Sequence, residues 1–534
     1  MKKYFLLLWL AVFAGSVFPQ ANSLYVEESL KPIFPGQPGI RPFWNQYALR
    51  FIYAPVFDFP KVRGATSYRF KITDVNKKVW SFKSDNPWAV LTPIWNNIPE
   101  GYTELQVDGL DKLGNVTGLS GKRIFYRVPV FGKAENPVKP FMESVREGLK
   151  ALFNAPNVQY WLSHAKPDPS YRLYCYPNKV IGGLVRAMAA YSKIAENQKD
   201  RDSALKIAKL SADYLLSVRR PSASRYAYVP PTYLVNVTDP YPQATERTKD
   251  NWLMVPSAID AAFGFLDMYD ATKENKYLDA AKNIAQTLTA NQESDGTWPL
   301  MVNSETGKSV HAQRLIPTWI IFFFDRLDNQ YKLEEYRTAR GRAWDWIVAN
   351  PLKTYQWNGQ FEDVKLHGPY VNLAREQACD VATLLLNNSQ NNPENIAQAD
   401  ELLRFAEDQF VVWTAVKDPD GWRKAMPNRL KTPDLWIAPC VLEQFACYEP
   451  VARSSAILIN AYLTAHQITN KPLYLEKAKA LTNGLVAGQS WVEKKYGGTV
   501  EIPTWVMRRK PSNWLNNSYY AAQAILNMAN YGSK

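Results

Sequence analysis

Two stretches of the chain repeat one another without a gap, and this repeat restricts the possible folds more than any other feature of the sequence. FGFLDMYDATKENKYLDAAKNIAQTL (263–288) aligns with NAYLTAHQITNKPLYLEKAKALTNGL (460–485), and fainter copies lie at 188–210 and 321–344. In each copy an apolar helix ends in a short polar turn, and a second helix follows with alanines at four-residue spacing. Each copy therefore predicts a helical hairpin whose small residues allow neighbouring helices to approach closely.

Helical periodicity extends from about residue 139 to the C-terminus and predicts twelve amphipathic helices. They are expected near 139–154, 178–196, 201–219, 252–272, 276–291, 313–329, 333–350, 370–388, 394–413, 452–469, 473–487 and 516–531. Six such hairpins close naturally into a ring. An α-solenoid would use similar helix pairs, but its connections would be short and polar. Here the connections carry the Trp-containing segments 295–300, 355–364, 420–427 and 503–514. Long loops of this composition favour the ring, because functional residues tend to lie on such loops.

The repeated hairpins, with a Gly-rich aromatic loop after each pair, resemble the six-hairpin or (α/α)6 toroid. This fold is shared by many glycoside hydrolases, some polysaccharide lyases and the sugar 2-epimerase family. The resemblance covers roughly 139–534, and we assign residues 136–534 to this domain. It implies a mostly α fold and a carbohydrate-active enzyme.

Residues 24–135 show the alternation of apolar and polar residues that is typical of β-strands. The alternation is clear at 65–74 and 103–110, and Pro, Gly and Asn separate such runs at about ten-residue spacing. We predict a small all-β sandwich over 24–135. The segments 57–72 and 109–118 resemble a fibronectin type III-like domain, which implies a spacer or packing partner.

Residues 1–23 have the pattern of a secretory signal peptide. Lys2 and Lys3 precede an apolar run, and small or turn-forming residues follow it. We predict cleavage near Ala21 and export to the periplasm or the exterior, with a buried first helix as the alternative. No later uncharged stretch approaches 18 residues, so no membrane insertion of the mature chain is expected. The order of leader, sandwich and toroid resembles secreted glycan-processing enzymes of Bacteroidetes-type bacteria.

Composition excludes several classes of protein. Apolar residues make up 46% and charged residues 21% of the chain, which is typical of a globular protein. The net charge is +13, but basic residues are scattered along the predicted helices, so nucleic acid is not an expected partner. The excess would suit an acidic glycan. The chain holds 18 Trp, 30 Tyr and 23 Phe, whose rings are surfaces on which sugar faces stack.

Neither a cofactor nor a metal is expected from the motifs. The chain contains no GxxxxGK[ST], no GxGxxG after a predicted strand and no HExxH. Its four cysteines match no zinc spacing, and we predict that all four are buried small apolar residues. Cys440 and Cys447 are near enough in sequence to pair. The sequence leaves the oligomeric state open.

The strongest catalytic candidate is the loop 357–364, which holds Trp357, Asn358, Glu362 and Asp363 just before a predicted helix. Glycosyl transfer needs one carboxyl group to protonate the leaving oxygen and a second as nucleophile or base. Glu362 or Asp363 would supply one of these, and Trp357 and Asn358 would bind substrate. A helix N-terminal charge or a solvated turn is the alternative.

A second candidate is the segment 294–299, where Asp295 would be catalytic and Trp298 would line the cleft. Asp-Gly is also simply a turn signal. The pair recurs at 420–421 and is again followed by Trp, which lowers the chance that either Asp alone is catalytic.

A third candidate is the cluster 434–453, in which Glu443 adjoins aromatic residues that would raise its pKa and suit it to a general acid. Trp436 and Tyr448 would contact substrate. The ordinary alternative for this cluster is an ion pair between Glu449 and Arg453, at four-residue spacing.

Further substrate contacts are predicted from other loops, at Tyr174, His311, Arg314 and Trp505. Arg can pair bidentately with a sugar carboxylate. A Tyr beside Arg or His would instead abstract the proton α to a uronate.

The sequence therefore favours hydrolysis of an oligo- or polysaccharide by two carboxylates from among Glu362, Asp363, Asp295 and Glu443. A uronate lyase or epimerase is the first alternative, and a non-catalytic glycan-binding protein is the second.

Overall fold

The computed structural model describes residues 20–36, 43–234, 250–357, 359–360, 375–390, 392–426, 432–443, 449–498, 500–511 and 514–531. Among the helices in these ranges, none combines the length and the apolar character that crossing a bilayer requires.

The N-terminal part of the chain contains one five-stranded sheet. Its elements are α1 (Gln20–Ser29), β1 (Arg50–Phe51), β2 (Ser67–Thr73), β3 (Val79–Ser84), α2 (Thr92–Trp95), β4 (Gly101–Leu110) and β5 (Val116–Arg127). The strand order is β1-β5-β4-β2-β3, and all pairs are antiparallel except β1 with β5. We call residues 43–135 the β region.

One face of this sheet is apolar because alternate residues of each strand point to it. Phe70 and Phe125 on that face are buried. Phe51 and Phe57, from the segment that precedes β2, cover Phe125 with ring centroids 5.5 and 5.9 Å away, and Trp95 of α2 lies 6.0 Å away. The described residues of this region thus form a single sheet covered by irregular aromatic segments. The fibronectin-like sandwich stays a prediction.

The rest of the described chain is mainly helical. In chain order its elements are α3 (Phe141–Asn154), α4 (Pro156–His164), α5 (Gly182–Ile194), α6 (Gln198–Ser217), β6 (Trp252–Met254), α7 (Ala258–Thr272), α8 (Asn275–Ala290), β7 (Met301–Asn303), α9 (Thr318–Tyr331), α10 (Arg337–Ile347), α11 (Arg375–Asn387), α12 (Pro393–Phe410), β8 (Val411–Val412), α13 (Pro419–Ala425), β9 (Cys440–Val441), α14 (Ala452–Thr469), α15 (Pro472–Tyr496) and α16 (Leu515–Ala529). Each of the twelve predicted helices has a counterpart here. The stretch predicted as one helix over 252–272 divides into β6 and α7, and Pro256, which has no backbone donor, lies between them.

Six of these helices form a closed inner ring. In order around the ring they are α5, α7, α9, α11, α14 and α16, and α16 packs against α5 again. The outer helix against which each inner helix packs most extensively is α6, α8, α10, α12, α15 and α3 respectively. The fold is therefore an (α/α)6 toroid, and the first outer helix pairs with the last inner one. Because the chain enters every inner helix from an outer helix, the inner N-terminal ends lie at one mouth of the ring.

Two glycines allow α5 to pack tightly between α7 and α16. A Cβ at Gly182 would lie 3.0 Å from the carbonyl oxygen of Asp260, and a Cβ at Gly183 would lie 2.9 Å from the Cβ of Asn516. Both distances are shorter than ordinary van der Waals contacts. The two glycines thus set how closely α7 and α16 approach α5.

The β region packs on the toroid through the C-terminal end of α12. The carboxylate of Asp408 accepts hydrogen bonds from the backbone N–H groups of Ile52 and Tyr53, at 2.5 and 3.0 Å. Nearby, Glu407 and Lys477 form a buried ion pair with an N–O distance of 2.5 Å. The interface is therefore ordered by buried charges as well as by apolar contacts.

Candidate functional site

Five inner helices each contribute one polar or aromatic side chain to a connected group near their N-terminal ends, at the mouth. These are Asp260 on α7, Trp319 on α9, Asp380 on α11, Arg453 on α14 and Tyr520 on α16. We call them the mouth network. Asp260 and Asp380 are 8% and 7% exposed, whereas the other three side chains are half-buried. Buried carboxylates beside partly exposed rings distinguish this end of the ring from ordinary core.

Asp260 is held by a tyrosine from an inner helix that is not a ring neighbour of α7. The Tyr520 hydroxyl donates a hydrogen bond to Oδ1 of Asp260 and accepts one from Nη1 of Arg186, at 3.4 Å. Arg186 lies on α5, so three inner helices meet at this point. Tyr520 therefore links a carboxyl group to a guanidinium.

Asp380 is held from α9. Its Oδ2 accepts hydrogen bonds from the Thr318 hydroxyl at 3.0 Å and from the Trp319 indole N–H at 2.8 Å. The Trp319 ring lies 5.7 Å from the Tyr520 ring, edge to face. The Arg453 guanidinium lies 4.9 Å from the first ring and 4.8 Å from the second. These contacts connect both carboxyl groups through two rings and one cation.

The mouth network spans the interior of the ring. Helices α9 and α16 are diametrically opposite, yet Trp319 and Tyr520 are in contact. Since these side chains meet near the axis, they close the ring at this level and form a floor to the mouth. The rings of Trp319 and Tyr520 are half-buried, so each keeps part of its surface exposed.

Below this floor lies a layer of ion pairs. Arg186 Nε lies 2.9 Å from Asp267, and Arg326 contacts Asp267 at 2.8 Å and Asp270 at 3.0 Å. Arg186 also stacks against Phe263, with its guanidinium 5.2 Å from the ring. The layer fixes Arg186, which in turn holds the Tyr520 hydroxyl.

The electrostatics of the site separate the roles of Asp260 and Tyr520. Burial raises the pKa of the Asp260 carboxyl above its ordinary value, although Arg453, the Tyr520 hydroxyl and Arg186 act in the opposite direction. Burial and the neighbouring Asp260 also raise the pKa of Tyr520 well above 10. Asp260 therefore keeps its proton to higher pH than an ordinary aspartate does, and Tyr520 keeps its proton to higher pH than an ordinary tyrosine does.

An aromatic pair stands beside this floor at the start of α5. Lys179 Nζ lies 4.4 Å from the Tyr176 ring and 5.2 Å from the Trp514 ring, and the two rings are stacked 5.8 Å apart. Lys179 is close enough to lower the pKa of Asp260. Trp514 is half-buried, so it adds an aromatic surface to the mouth.

A further carboxyl group lies near the N-terminal end of α16. The Ser518 hydroxyl donates to Glu501 at 3.3 Å, and burial raises the pKa of Glu501 to about 7.

Four residues predicted as site residues lie outside the described residues: Glu362, Asp363, Asn358 and Tyr448. Cys447 also lies there, and the other three cysteines are buried as predicted.

The structure corrects the prediction for four aromatic residues. Tyr174, Trp298 and Trp357 have no exposed surface, and Trp436 has 2%. The Trp298 indole donates to the carbonyl of Leu288 at 2.8 Å. These rings are packed in the interior of the protein, so they have no surface to offer a substrate.

Asp295, predicted as catalytic, and Arg314, predicted to bind substrate, form an ion pair with each other. Both oxygens of Asp295 accept hydrogen bonds from Nη2 of Arg314, at 2.6 and 2.7 Å, and Asp295 also caps its own turn through the N–H of Thr297. This arrangement favours a structural role. His311 is exposed and lies edge-on to Trp252, with ring centroids 6.0 Å apart.

In the third predicted cluster, Glu449 pairs with Arg509 at 2.7 Å, and Arg509 lies 4.5 Å from the Trp505 ring. Arg453, the partner predicted for Glu449, instead lies against the rings of the mouth network. The backbone N–H of Glu443 donates to the carbonyl of Glu449 at 3.3 Å, so the backbones of these two residues lie side by side.

The loop motifs that predicted site residues did not indicate Asp260, Trp319, Asp380 or Tyr520, because these four residues lie on helices. A usable signal exists. Asp260 is an isolated charge within SAIDAAFGFL, and Asp380 is one within ACDVATLLL. Charged residues are almost never fully buried without partners, so a lone acid in an apolar helix indicates a specific site.

Among the described residues, no three His, Cys, Asp or Glu side chains are grouped as the ligands of a metal ion.

No protein-family model and no curated protein sequence matches the chain. Among solved structures, a family 76 glycoside hydrolase from a bovine Bacteroides thetaiotaomicron strain is 10% identical, over 88% of this chain and 94% of that chain, with a TM-score of 0.45. A cellobiose 2-epimerase from Spirochaeta thermophila is 12% identical, over 74% and 98%, with a TM-score of 0.45. A D-mannose isomerase is 11% identical, over 73% and 97%, with a TM-score of 0.48. The six-hairpin ring itself is established by the helix packing described above.

Proposed function

We propose that the chain is a carbohydrate-active enzyme that hydrolyses a glycosidic bond at the mouth of the toroid. The observation that carries the proposal is Asp260, a buried carboxyl with a raised pKa, on a floor flanked by the partly exposed rings of Trp319 and Trp514. Aromatic rings offer faces on which sugars stack, and a protonated carboxyl can donate to a leaving oxygen.

In this proposal Asp260 transfers its proton to the glycosidic oxygen as the bond to the anomeric carbon breaks. In the same step a second carboxylate either takes a proton from the water that attacks the anomeric carbon or attacks that carbon itself. In the second case, water then hydrolyses the glycosyl-enzyme while the Asp260 carboxylate takes its proton. Asp380 is the candidate within the mouth network. Glu362 and Asp363, which precede α11 in the chain, remain candidates from the sequence.

The tyrosine-based alternative is less well supported. A lyase or epimerase would need a Tyr that loses its proton near neutral pH in order to abstract one from the sugar. Tyr520 lies beside two guanidiniums, as such a base would, but its hydroxyl donates to Asp260 and its pKa is raised well above 10. Its proton therefore remains bound, which favours the hydrolase.

Export remains part of the proposal on sequence grounds. Residues 1–19 lie outside the described residues, and α1 begins at Gln20, so the predicted cleavage near Ala21 falls in the first turn of α1.

A panel of neutral and acidic glycans tests the proposal, with reducing ends and ultraviolet absorbance followed together. We expect new reducing ends without absorbance. Asp260→Asn should lower this activity by about 100- to 10,000-fold, the usual contribution of a general acid. Asp295→Asn is the matched control and should retain activity, and Glu362→Gln and Asp380→Asn identify the second carboxylate.

Each other result identifies an alternative. An absorbance gain would show the unsaturated product of a lyase. Binding of a glycan without any product would show a non-catalytic module. Full activity in Asp260→Asn with loss in Asp295→Asn would move the site to the loop predicted from the sequence.

A further inference from the structure

The connection between α12 and α14 is attached to the β region at several points along its length. Phe131 packs on Trp413 with ring centroids 4.6 Å apart, and Lys424 lies 4.1 Å from the Tyr102 ring. Between these points Trp422 of α13 is fully buried. The Tyr126 ring of β5 lies 4.8 Å from the Trp422 ring, and the Arg50 guanidinium of β1 lies 5.3 Å from it.

A series of edge-to-face ring contacts continues from this point toward the mouth. Trp422 contacts Trp436 edge to face, with centroids 5.7 Å apart. The backbone of Trp436 forms an isolated antiparallel β-bridge with that of Met507. The N–H of the next residue, Ile437, donates to the carbonyl of Val506 at 3.0 Å. The position of the segment 504–508 therefore depends on contacts that begin in the β region.

The same segment fixes the start of α14. The backbone of Val451 forms an isolated antiparallel β-bridge with that of Trp505, and the N–H of Ala452 donates to the carbonyl of Thr504 at 2.9 Å. Ala452 is the first residue of α14, and Arg453 follows it. Arg453 is the cation that lies against Trp319 and Tyr520 in the mouth network.

We propose that the β region positions part of the mouth, and that the edge-to-face series of Tyr126, Trp422 and Trp436 sets the place of Arg453. Arg50 strengthens the attachment, since its guanidinium also donates to the carbonyl of Val411 in β8. In this proposal the β region is more than a spacer. Tyr126 acts through other residues, because it reaches Arg453 only by way of this ring series and the segment 504–508.

The proposal predicts a local effect of Tyr126→Ala on amide hydrogen exchange in the full-length protein. Peptides that contain Ile437, Ala452 and Arg508 should exchange at least about tenfold faster, because their N–H groups are the ones that hold the segment. Peptides from α5 to α8 should not change. Tyr126→Phe keeps the ring and should restore the wild-type pattern. Trp80→Ala, at a half-buried ring on the edge strand β3 of the same sheet, is the control and should not change these peptides.

A pH profile tests the effect on the site and rests on the proposed function. Arg453 lowers the pKa of Asp260, so a displaced Arg453 should move the alkaline limb of activity to higher pH in Tyr126→Ala and leave it in place in Tyr126→Phe.

The two measurements can fail separately. Unchanged exchange in Tyr126→Ala, or equal acceleration throughout the toroid, would overturn the proposal. An unmoved alkaline limb despite faster local exchange would overturn the link to Arg453. The exchange measurement needs no substrate, so it decides the structural part even if no glycan is hydrolysed.

Discussion

The Tyr520 hydroxyl donates a hydrogen bond to Asp260 although α16 and α7, which carry the two residues, are separated in the ring by α5. A bond between helices that are not ring neighbours must cross the interior. Both side chains therefore face the axis, where burial removes most of the contact with solvent that would stabilise the charge of the carboxyl. The closure of the ring, rather than any local motif, creates this environment.

Tyr520→Phe should move the alkaline limb of the pH–activity profile to higher pH. A general acid must be protonated, so activity falls as pH rises through the pKa of Asp260. The Tyr520 hydrogen bond lowers that pKa, and its removal lets the raising effect of burial dominate further. Below the limb, the loss of kcat should stay well short of the about 100- to 10,000-fold expected when the acid itself is removed. The measurement is kcat against pH for both proteins. A limb displaced to lower pH, or one that does not move, would exclude Asp260 as the acid.

Gly182→Ala should destabilise the protein and reduce activity. Gly to Ala in a helix interior ordinarily stabilises by about 0.5–1 kcal/mol. Here the new methyl would lie 3.0 Å from the Asp260 carbonyl oxygen and 3.2 Å from the Ala261 nitrogen, so α7 must shift. Overpacking of this kind costs about 1–3 kcal/mol. Gly341→Ala on α10 is the matched control, because a Cβ there meets nothing within 4 Å. Unfolding by urea should show the two substitutions with opposite signs, and equal stabilisation would show that α7 and α5 are not tightly packed.

A single substitution in the buried pair of Glu407 and Lys477 should strongly destabilise the protein. The two side chains are 1% and 3% exposed, and Glu407 also accepts hydrogen bonds from Trp413 and Tyr462, at 2.9 and 3.0 Å. Lys477→Met leaves a buried carboxylate without its cation, which costs about 3–5 kcal/mol. Lys477→Met with Glu407→Gln should recover part of that loss.

Arg146→Met supplies the surface comparison for this pair. Arg146 and Glu196 are 39% and 66% exposed, and exposed pairs contribute less than about 1 kcal/mol. If denaturant unfolding gave Lys477→Met a loss as small as that of Arg146→Met, the buried pair would contribute no more to stability than a surface pair.

The helices of the ring could be predicted from the sequence because their signal is repeated and local. The gapless match between 263–288 and 460–485 reports the same packing demand in two hairpins, α7–α8 and α14–α15. Each helix needs one apolar face, so apolar residues recur along its sequence at three- and four-residue spacing.

The site could not be predicted in the same way, because its residues become neighbours only when the ring closes. Asp260 and Tyr520 are 260 positions apart. The tryptophans of loops were misleading for a related reason. An indole such as that of Trp298 can either stack on a sugar or fill the interior with its N–H bonded to a carbonyl, and composition does not separate the two.

The pH dependence of folding provides the last test, at Asp408. Burial raises the pKa of this carboxyl from an ordinary 3.8 to about 7, although the N–H groups of Tyr53 and Ile52 and the charge of Arg50 act against it. A raised acid pKa means that the native state binds a proton that the unfolded chain has released. The contribution of Asp408 to stability is therefore full below about pH 4 and is lost as pH rises toward 7.

Asp408→Asn should remove this dependence. Between about pH 4 and pH 7 the free energy of unfolding of the wild type should fall by up to about 1.4 kcal/mol per pH unit more steeply than that of the variant, since one proton is involved. Arg50 and Arg127 face the carboxyl from the β region, and their pKa values, lowered by burial to about 10 and 9, leave both charged throughout this range. They therefore add no slope of their own, and the difference between the two proteins isolates Asp408. Parallel stability curves, from urea unfolding at each pH, would mean that Asp408 is ionised in the native protein and that the two arginines neutralise it at the interface.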